Sequence, residues 1–486
     1  MTDKALHNGS DPAEERRPLR LAGHEYLWPL FFLLSMSMMG LRFPLGYLLV
    51  PIILISTFRR DRYDFLIMLT LFFGGFGLIG EGTMPVKPWD IAFVVSIIGL
   101  VIMRKDALMK KTLVLTIGYA AALVFIATFS EERMAVQLRT LRNYLFFIYF
   151  IVPMMVFAGR RFDMLVFFRR LIPYVIILCC FYIFDGFIAS GHFLLPCTHI
   201  SFEGGLSVFY DPVYYGFGFF PRIYPPGLFI AVLAMYPFAR IYKPAPWQWV
   251  VMLLSLGATR TFTVISGLIA TYAVSMPDLK RTFRYASVGV GVIAILCFVD
   301  MMIGYESENG DSALRIYSSV QQITDVGEAQ DDEDIAELGS GRIGQAIPKF
   351  ELVSEMNKEA VGLGFLHAEL TTNTRYIIDN PFYTDISRSE EVATGIEVEP
   401  LQVYLSIGYI GLSVHFLFLF MTYYFVRKYG YSFYYLTVLF GLFWFGLGGF
   451  AGLNAPDGLL LCSLAFSIVV LDNKNRIKSL EKEENQ

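Results

Sequence analysis

Three arginines stand in glycine- or proline-containing segments beside apolar runs. Arg222 lies in "FPRIYPPGLF", Arg260 in "GATRTFTVISGL" and Arg342 in "GSGRIGQAIPKF". A guanidinium group stays charged at any physiological pH and binds phosphate oxygens through two parallel hydrogen bonds. The alternative is that Arg222 and Arg260 extend to phospholipid headgroups at the membrane edge. Three such residues together favour a site for a phosphate or pyrophosphate, with Arg342 also a candidate catalytic group.

Two glutamates, Glu397 and Glu399, precede an apolar run in "GIEVEPLQVYLSIGYIGL". Either carboxylate could act as a general base if partial burial raised its pKa. The alternative is a helix N-terminus, where an acidic side chain interacts favourably with the helix dipole. Both residues are therefore candidate catalytic groups, and the sequence does not choose between them.

Aromatic and histidine side chains supply candidate contacts for a sugar. Tyr214, Tyr215 and Tyr224 lie in the aromatic-rich stretch around Arg222, and His367 lies in "GLGFLHAEL". Sugar faces stack on aromatic rings, but an aromatic belt at the membrane interface also explains many such residues. A lone histidine in a loop is more often structural.

The sequence lacks the motifs of several common classes of catalytic and binding site. The histidine spacing matches no helical metal pair, and the acidic run at 325–338 lacks the ligand spacing of a calcium loop. Phosphate-binding loops, nucleophile elbows and internal repeats are also missing from the sequence. We therefore predict no metal and no cofactor, and nothing in the sequence supports nucleic-acid binding.

The elements that must position these residues are membrane helices. The chain has 486 residues, 55% of them hydrophobic, and its apolar residues fall into repeated runs of roughly membrane-spanning length. This predicts an all-α polytopic integral membrane protein with about 14 transmembrane helices, within a range of about 12 to 14. The predicted spans lie near residues 24–40, 43–58, 65–80, 88–103, 112–128, 143–158, 171–188, 226–239, 248–257, 262–276, 285–304, 399–425, 431–447 and 456–471.

The placement of basic residues predicts the orientation. Alternate connections and both tails hold about two thirds of the 39 Lys and Arg residues. Because basic residues concentrate on the cytoplasmic side, both termini are expected in the cytoplasm. Two long connections, 189–225 and 305–398, then lie on the opposite face, and long connections usually carry function. The larger one contains an amphipathic pattern around Ile347 and Phe350, which indicates a folded and partly helical cap.

These assignments divide the chain into seven consecutive segments. They are a cytoplasmic N-terminal tail (1–23), N-terminal transmembrane helices (24–188), a first periplasmic loop (189–225), central transmembrane helices (226–304), a large periplasmic loop (305–398), C-terminal transmembrane helices (399–471) and a cytoplasmic tail (472–486).

The layout resembles the bacterial O-antigen polymerase and O-antigen ligase superfamily over roughly residues 205–425. The elements that carry the resemblance are "RIYPPGLF", "GATRTFTVISGL", "GSGRIGQAI", "GLGF" and "EVEPLQVYLSIGYIGL". The resemblance implies a GT-C-like helical membrane fold and a metal-independent reaction. It also implies that Arg222 and Arg260 bind a pyrophosphate, with Arg342 the arginine of the second loop. Ligases of this superfamily carry a histidine before the "GYIGL" pattern, where this chain has glutamates, so a polymerase is favoured.

The resemblance therefore implies a membrane glycosyltransferase of the bacterial inner membrane, with its active site facing the periplasm. It would transfer an undecaprenyl-pyrophosphate-linked oligosaccharide, with inversion, onto a sugar hydroxyl of another lipid-linked repeat unit. The expected product is an O-antigen or exopolysaccharide, and the expected partners are membrane lipids and a chain-length-determining co-polymerase. One alternative is a ligase that transfers glycan to lipid A core or protein. Another, of a different class, is a flippase or exporter of lipid-linked oligosaccharides.

Overall fold

The computed structural model of the protein describes most of the predicted helices. The described residues are 21–41, 43–60, 62–75, 86–103, 106–157, 162, 164–187, 195, 212–215, 218–221, 245–257, 279–303, 346–368, 370–379, 390–396, 398–447 and 456–484. They are predominantly α-helical. A helix occurs at each predicted span that these residues cover, whereas the predicted spans 226–239 and 262–276 lie outside them.

The helices of the N-terminal part are separated by short connections. They are α1 (Leu27–Gly40), α2 (Pro44–Arg60), α3 (Asp64–Phe72), α4 (Pro88–Ile102), α5 (Ala107–Ala127), α6 (Met134–Tyr144), α7 (Ile151–Phe157) and α8 (Met164–Phe187), with short 3-10 helices at Gly23–Tyr26 and Phe146–Phe150.

The helices of the C-terminal part are α9 (Pro246–Gly257), α10 (Leu279–Ile303), α11 (Ile347–Glu355), α12 (Glu399–Val426), α13 (Ser432–Leu447) and α14 (Pro456–Glu484). A third 3-10 helix, Thr374–Tyr376, lies between α11 and α12.

Among the described residues, three helices are long and apolar enough to cross a membrane. They are α5, residues Val166–Phe184 of α8, and α12. The pair formed by α6 and Phe146–Phe157, bent by 44°, would make a fourth. Helices Pro44–Thr57, α4 and α13 are apolar but shorter. The chain is thus a helical membrane-type protein, and the number of about 14 spans stays a prediction.

Two short antiparallel ladders interrupt the helical architecture. Strands β1 (Pro212–Tyr215) and β2 (Gly218–Pro221) pair in the first long connection, and β3 (Ile377–Asp379) pairs with β4 (Glu390–Val392) in the second. The all-α prediction did not anticipate them. Their sequences are rich in aromatic and β-branched residues, which favour extended backbone.

Helix packing produces one large apolar core and one smaller core. Helix α12 packs against α5 and α13, and α14 packs against α13 and the 3-10 helix Phe146–Phe150. A second buried cluster joins α11, the segment after it and the start of α12. Here Lys349, which is 1% exposed, pairs with Glu391 at 3.0 Å and ties α11 to β4. The described part of residues 305–398 therefore has a core of its own.

Contacts at the two ends of α5 show which connecting segments lie at the same end of the helix bundle. Before α5, Asp106 pairs with Lys474 of α14. Beyond its other end, Lys358 Nζ donates to the Phe129 carbonyl at 2.6 Å, and Arg375 pairs with Glu131 at 2.8 Å. The segment after α11 thus lies at the end of α5 opposite the Asp106–Lys474 pair. Which end faces the cytoplasm stays a prediction.

Candidate functional site

The structure describes some of the predicted site residues. Arg222, Arg260, Arg342, Glu397 and Tyr224 lie outside the described residues. Tyr214 and Tyr215 belong to β1, where they pair with Phe219 and Gly218 of β2. The remaining two, Glu399 and His367, are described together with their surroundings.

Glu399 is the first residue of α12 and is 5% exposed. The preceding Val398 is extended, and Pro400 occupies the second helical position, where proline is well tolerated because its missing N–H would have no helical partner. Glu399 therefore lies at a helix N-terminus, as the alternative to a general base predicted. The carboxylate lies directly against Gly446 of α13, where an added Cβ would overlap it.

Helix α12 is broken at Gly408. This residue has φ 62° and ψ −172°, a conformation that is essentially restricted to glycine. The first part of α12, Glu399–Ile407, is therefore a separate helical segment, followed by a second segment from Tyr409 onward. The sequence placed a single span at 399–425 and did not predict this break.

Residues 359–364 supply hydrogen-bond partners for the backbone groups around the break. Such groups at membrane depth are costly unless they find partners within the protein. The N–H groups of Leu363 and Gly364 donate to the carbonyls of Leu405 and Ser406 at 2.8 and 2.9 Å. In the opposite sense, the N–H groups of Tyr409 and Ile410 donate to the carbonyls of Glu359 and Ala360 at 3.0 and 3.1 Å.

Two sequence elements that carried the resemblance therefore meet in the fold. Leu363 and Gly364 of "GLGF" (362–365) bond through the backbone to Leu405 and Ser406 of "EVEPLQVYLSIGYIGL" (397–412). We call residues 359–364 together with residues 405–410 the break unit.

The turn between α5 and α6 holds the break unit in place. Ser130 Oγ donates to the Leu363 carbonyl at 2.6 Å, and the Glu131 N–H donates to the Tyr376 hydroxyl at 2.9 Å. His367 follows the break unit in a turn, and its backbone N–H donates to Thr371 Oγ1 at 3.0 Å. The His367 side chain is half-buried. A structural role for this histidine, the alternative to sugar binding, is consistent with its place in the turn.

A small cavity is lined by both Glu399 and His415. The sequence prediction did not include His415. The cavity has a volume of about 10 Å³ and lies between the two segments of α12 and α13. In a straight helix, residues 399 and 415 would be about 24 Å apart. The break at Gly408 therefore bends the chain enough for both side chains to face one cavity. Its other lining residues are Pro400, Val403, Leu412, Phe416 and Phe443, and the whole surface exposed to it is apolar.

His415 is held by two tyrosines from neighbouring helices. It is 2% exposed, and its Nδ1 lies 2.7 Å from the Tyr119 hydroxyl of α5. The Tyr144 ring of α6 meets the imidazole edge to face, with centroids 6.0 Å apart. Phe418 stacks on Tyr119 at 4.2 Å. A signal for His415 was present in the sequence, because an ionisable residue inside an apolar span usually marks a functional or buried polar site.

Basic residues also gather along α6 and the start of α4. Arg142 pairs with Asp90 at 3.5 Å, and Arg139 lies one turn before it on the same helix. Burial lowers the pKa of Lys87, and the nearby charges of Arg142 and Arg139 lower it further. The sequence prediction did not single out these cations. Together with Asp90, these three cations carry a net charge of +2, which favours anions nearby.

Within the described ranges, no group of three or more His, Cys, Asp or Glu residues could hold a metal ion. The chain matches no model of a known protein family and no curated protein sequence.

Proposed function

We propose that the protein is a membrane glycosyltransferase that polymerises lipid-linked oligosaccharides. A sugar hydroxyl of one repeat unit attacks the anomeric carbon of another repeat that is linked to undecaprenyl pyrophosphate. The new glycosidic bond forms as the bond to the pyrophosphate oxygen breaks, with inversion at the anomeric carbon. The reaction takes place at the periplasmic face of the inner membrane.

The observation that carries this proposal is the break unit. Leu363 and Gly364 of "GLGF" precede Leu405 and Ser406 of "EVEPLQVYLSIGYIGL" by about 40 residues, yet their backbones are joined by hydrogen bonds at the base of a folded segment. Short motifs joined in this way have a common structural purpose. This supports treating the motifs as parts of one site and not as chance matches.

The arginines proposed to bind the lipid-linked donor are suited to its pyrophosphate leaving group. Arg222, Arg260 and Arg342 would stabilise the pyrophosphate as its negative charge develops, since guanidinium groups bind phosphate oxygens bidentately. The described cations Arg139, Arg142 and Lys87 support an anionic substrate by making one surface of the bundle positive.

The buried position of Glu399 favours Glu397 as the base for the acceptor. Both carboxylate oxygens of Glu399 are enclosed between α12 and α13. A general base must come within hydrogen-bond distance of the hydroxyl that it deprotonates. We therefore propose that Glu397 deprotonates the acceptor hydroxyl, and that Glu399 has a structural role inside the helix bundle.

The decisive experiment combines the purified protein with a synthetic undecaprenyl-pyrophosphate-linked repeat unit and follows the length of the glycan. Extended products are expected from the parent protein. Arg222→Ala, Arg260→Ala, Arg342→Ala and Glu397→Gln should each abolish extension while expression is retained. Arg284→Ala and Glu355→Gln are matched controls, because both residues are exposed and neither is assigned to the site. Full extension by all four site variants would contradict the site.

Gene deletion separates the polymerase from the alternatives. Loss of a polymerase leaves single repeats attached to their final acceptor, whereas loss of a ligase leaves none. A flippase would move the lipid-linked repeat across a vesicle membrane and yield no longer glycan. Either of these last two results would contradict the proposed polymerisation.

A further inference from the structure

Three cations lie together where α4 begins and α6 passes it. Arg139 and Arg142 are three residues apart on α6, so their side chains lie side by side, and both are exposed. Lys87 immediately precedes α4 and is close enough to both arginines for their charges to act on it. We call Lys87, Arg139 and Arg142 the basic cluster.

One carboxylate interacts with the basic cluster. Asp90 accepts the Lys87 backbone N–H at 3.0 Å with one oxygen, and its other oxygen lies 3.5 Å from a terminal nitrogen of Arg142. Neither the Lys87 ammonium nor Arg139 forms an ion pair with another described residue. Three positive charges and one negative charge leave a net charge of +2. The cluster is therefore able to bind an anion.

Hydrogen bonds fix the helices that carry the cluster. Trp89 Nε1 donates to the Thr70 carbonyl at 3.1 Å, and the Tyr149 hydroxyl donates to the Trp89 carbonyl at 3.0 Å. On α6, Thr140 Oγ1 donates to the Leu366 carbonyl at 3.1 Å. The backbone that positions the cations is therefore held in place before any ligand binds, which lowers the entropic cost of binding.

The basic cluster lies at the same end of the helix bundle as the break unit. Helix α4 has 15 residues, so it is about 22 Å long. It ends beside the start of α5, where Asp106 pairs with Lys474. The basic cluster is at the other end of α4. The hydrogen bond from Thr140 to Leu366, which closely follows the break unit, agrees with this placement.

An apolar face of α4 begins at the basic cluster. Val94, Ile97 and Val101 follow Asp90 by four, seven and eleven residues, a spacing that places all four on one face of the helix. The three apolar side chains are 56%, 44% and 65% exposed. From Asp90 to Val101 the helix rises about 16 Å, close to the depth of one leaflet of the hydrocarbon core, about 15 Å. A molecule with a phosphate at one end and a hydrocarbon chain at the other would match both parts.

We propose that the basic cluster binds the phosphate of an anionic membrane lipid, and that the hydrocarbon chain of this lipid lies along Val94, Ile97 and Val101. Arg139 and Arg142 donate hydrogen bonds to the phosphate oxygens, which guanidinium groups bind bidentately. A soluble phosphate would use the cations alone, whereas a lipid also covers the apolar face. The inference rests on the described helices and does not depend on the proposed transfer reaction.

The test is native mass spectrometry of the full-length protein in detergent. The probes are phosphatidylglycerol and phosphatidylcholine with identical acyl chains, which differ in net charge. The parent protein should bind phosphatidylglycerol more tightly by at least about tenfold, because two positive charges of the cluster are not compensated. Arg139→Gln should weaken the binding of phosphatidylglycerol roughly fivefold, the contribution of one cation near an anionic headgroup. The binding of phosphatidylcholine should stay unchanged.

Arg284→Gln is the matched control, because Arg284 is exposed on α10 and lies outside the cluster. Equal affinities of Arg139→Gln and Arg284→Gln for phosphatidylglycerol would overturn the proposal. If Arg139→Gln does not fold, Lys87→Gln removes another charge of the cluster, and an unchanged affinity there would equally overturn it.

Inorganic pyrophosphate is the probe for a soluble anion. If it bound as tightly as phosphatidylglycerol and lost the same affinity in Arg139→Gln, the apolar face would contribute nothing and the lipid site would be wrong. A lipid site that is weakened by Arg139→Gln, in a protein that extends no glycan, would refute the proposed function and leave the lipid site intact.

Discussion

Asp64 and Glu399 occupy the same kind of position in two different environments. Each is the first residue of an apolar helix, and they are 3% and 5% exposed. Arg62 approaches Asp64 with Nε and a terminal nitrogen at 3.2 and 3.1 Å, and Tyr174 donates to the same carboxylate at 3.1 Å. Glu399 instead faces a cavity with His415.

The difference lies in the ionisable side chain that shares each site. Arginine keeps its charge under all physiological conditions, so Asp64 has a permanent counter-ion and a fixed geometry. Histidine is the side chain whose charge changes most readily near neutral pH. A buried carboxylate held by arginine is thus suited to joining helices permanently, whereas His415 places no permanent charge at the cavity that Glu399 lines. The following predictions test this contrast, beginning with the largest effect.

Gly408→Ala should have the largest effect, because it disturbs the break between the two segments of α12. An alanine at φ 62° and ψ −172° costs about 1 to 3 kcal/mol in backbone strain. Its Cβ would also overlap the backbone of Ala360 and Val361, which adds about 1 to 3 kcal/mol. We expect little folded protein, measured as the monodisperse yield in detergent. Gly118→Ala is the control, because a Cβ there meets no atom within 4 Å. Equal yields of the two variants would contradict the bend.

Arg62→Met should lower the free energy of unfolding by about 3 kcal/mol, because it leaves the Asp64 charge buried without its counter-ion. The measurement is denaturant titration in mixed micelles. Asp64→Asn added to Arg62→Met should recover most of the loss, since the double variant buries no charge. A double variant as unstable as Arg62→Met alone would show that Arg62 acts through packing and not as the counter-ion.

His415→Asn should lower the free energy of unfolding by only about 1 to 2 kcal/mol, the effect of losing one buried hydrogen bond and some packing. The reason is that His415 is bonded to the neutral hydroxyl of Tyr119, whereas Arg62 is the counter-ion of a buried carboxylate. The measurement is the same titration. A loss as large as that of Arg62→Met would remove the distinction between the two carboxylates.

The sequence predicted the features that depend on local composition. Apolar runs of the right length located the described helices, and the acidic residues before "PLQVYLSIGYIGL" indicated the start of α12 at Glu399. These patterns are local because helix formation depends on hydrophobicity and on residues near the helix start.

The break and the contacts of His415 could not be predicted in the same way. Glycine is common in membrane helices, and Gly408 becomes a break only because residues 359–364 bond to the freed backbone groups. Likewise His415 contacts Tyr119 across 296 residues of sequence. Contacts of this kind depend on how the helices pack, and no short pattern records them.

The partly exposed pair of Asp106 and Lys474 should show the smallest effect, and it is a reference for both buried carboxylates. Burial acts to raise the pKa of Asp106, but hydrogen bonds from Lys474 and the Met109 N–H hold it below its ordinary value of 3.8. Because this pKa is lower in the folded protein, the stabilisation is present above about pH 4 and disappears as the pH falls through the folded-state value. Lys474→Met should therefore cost less than about 1 kcal/mol at neutral pH, since both side chains are partly exposed. The same titration at pH 7 and pH 3 measures it. A loss that persists undiminished at the lower pH would show that Lys474 stabilises the protein through contacts other than the carboxylate.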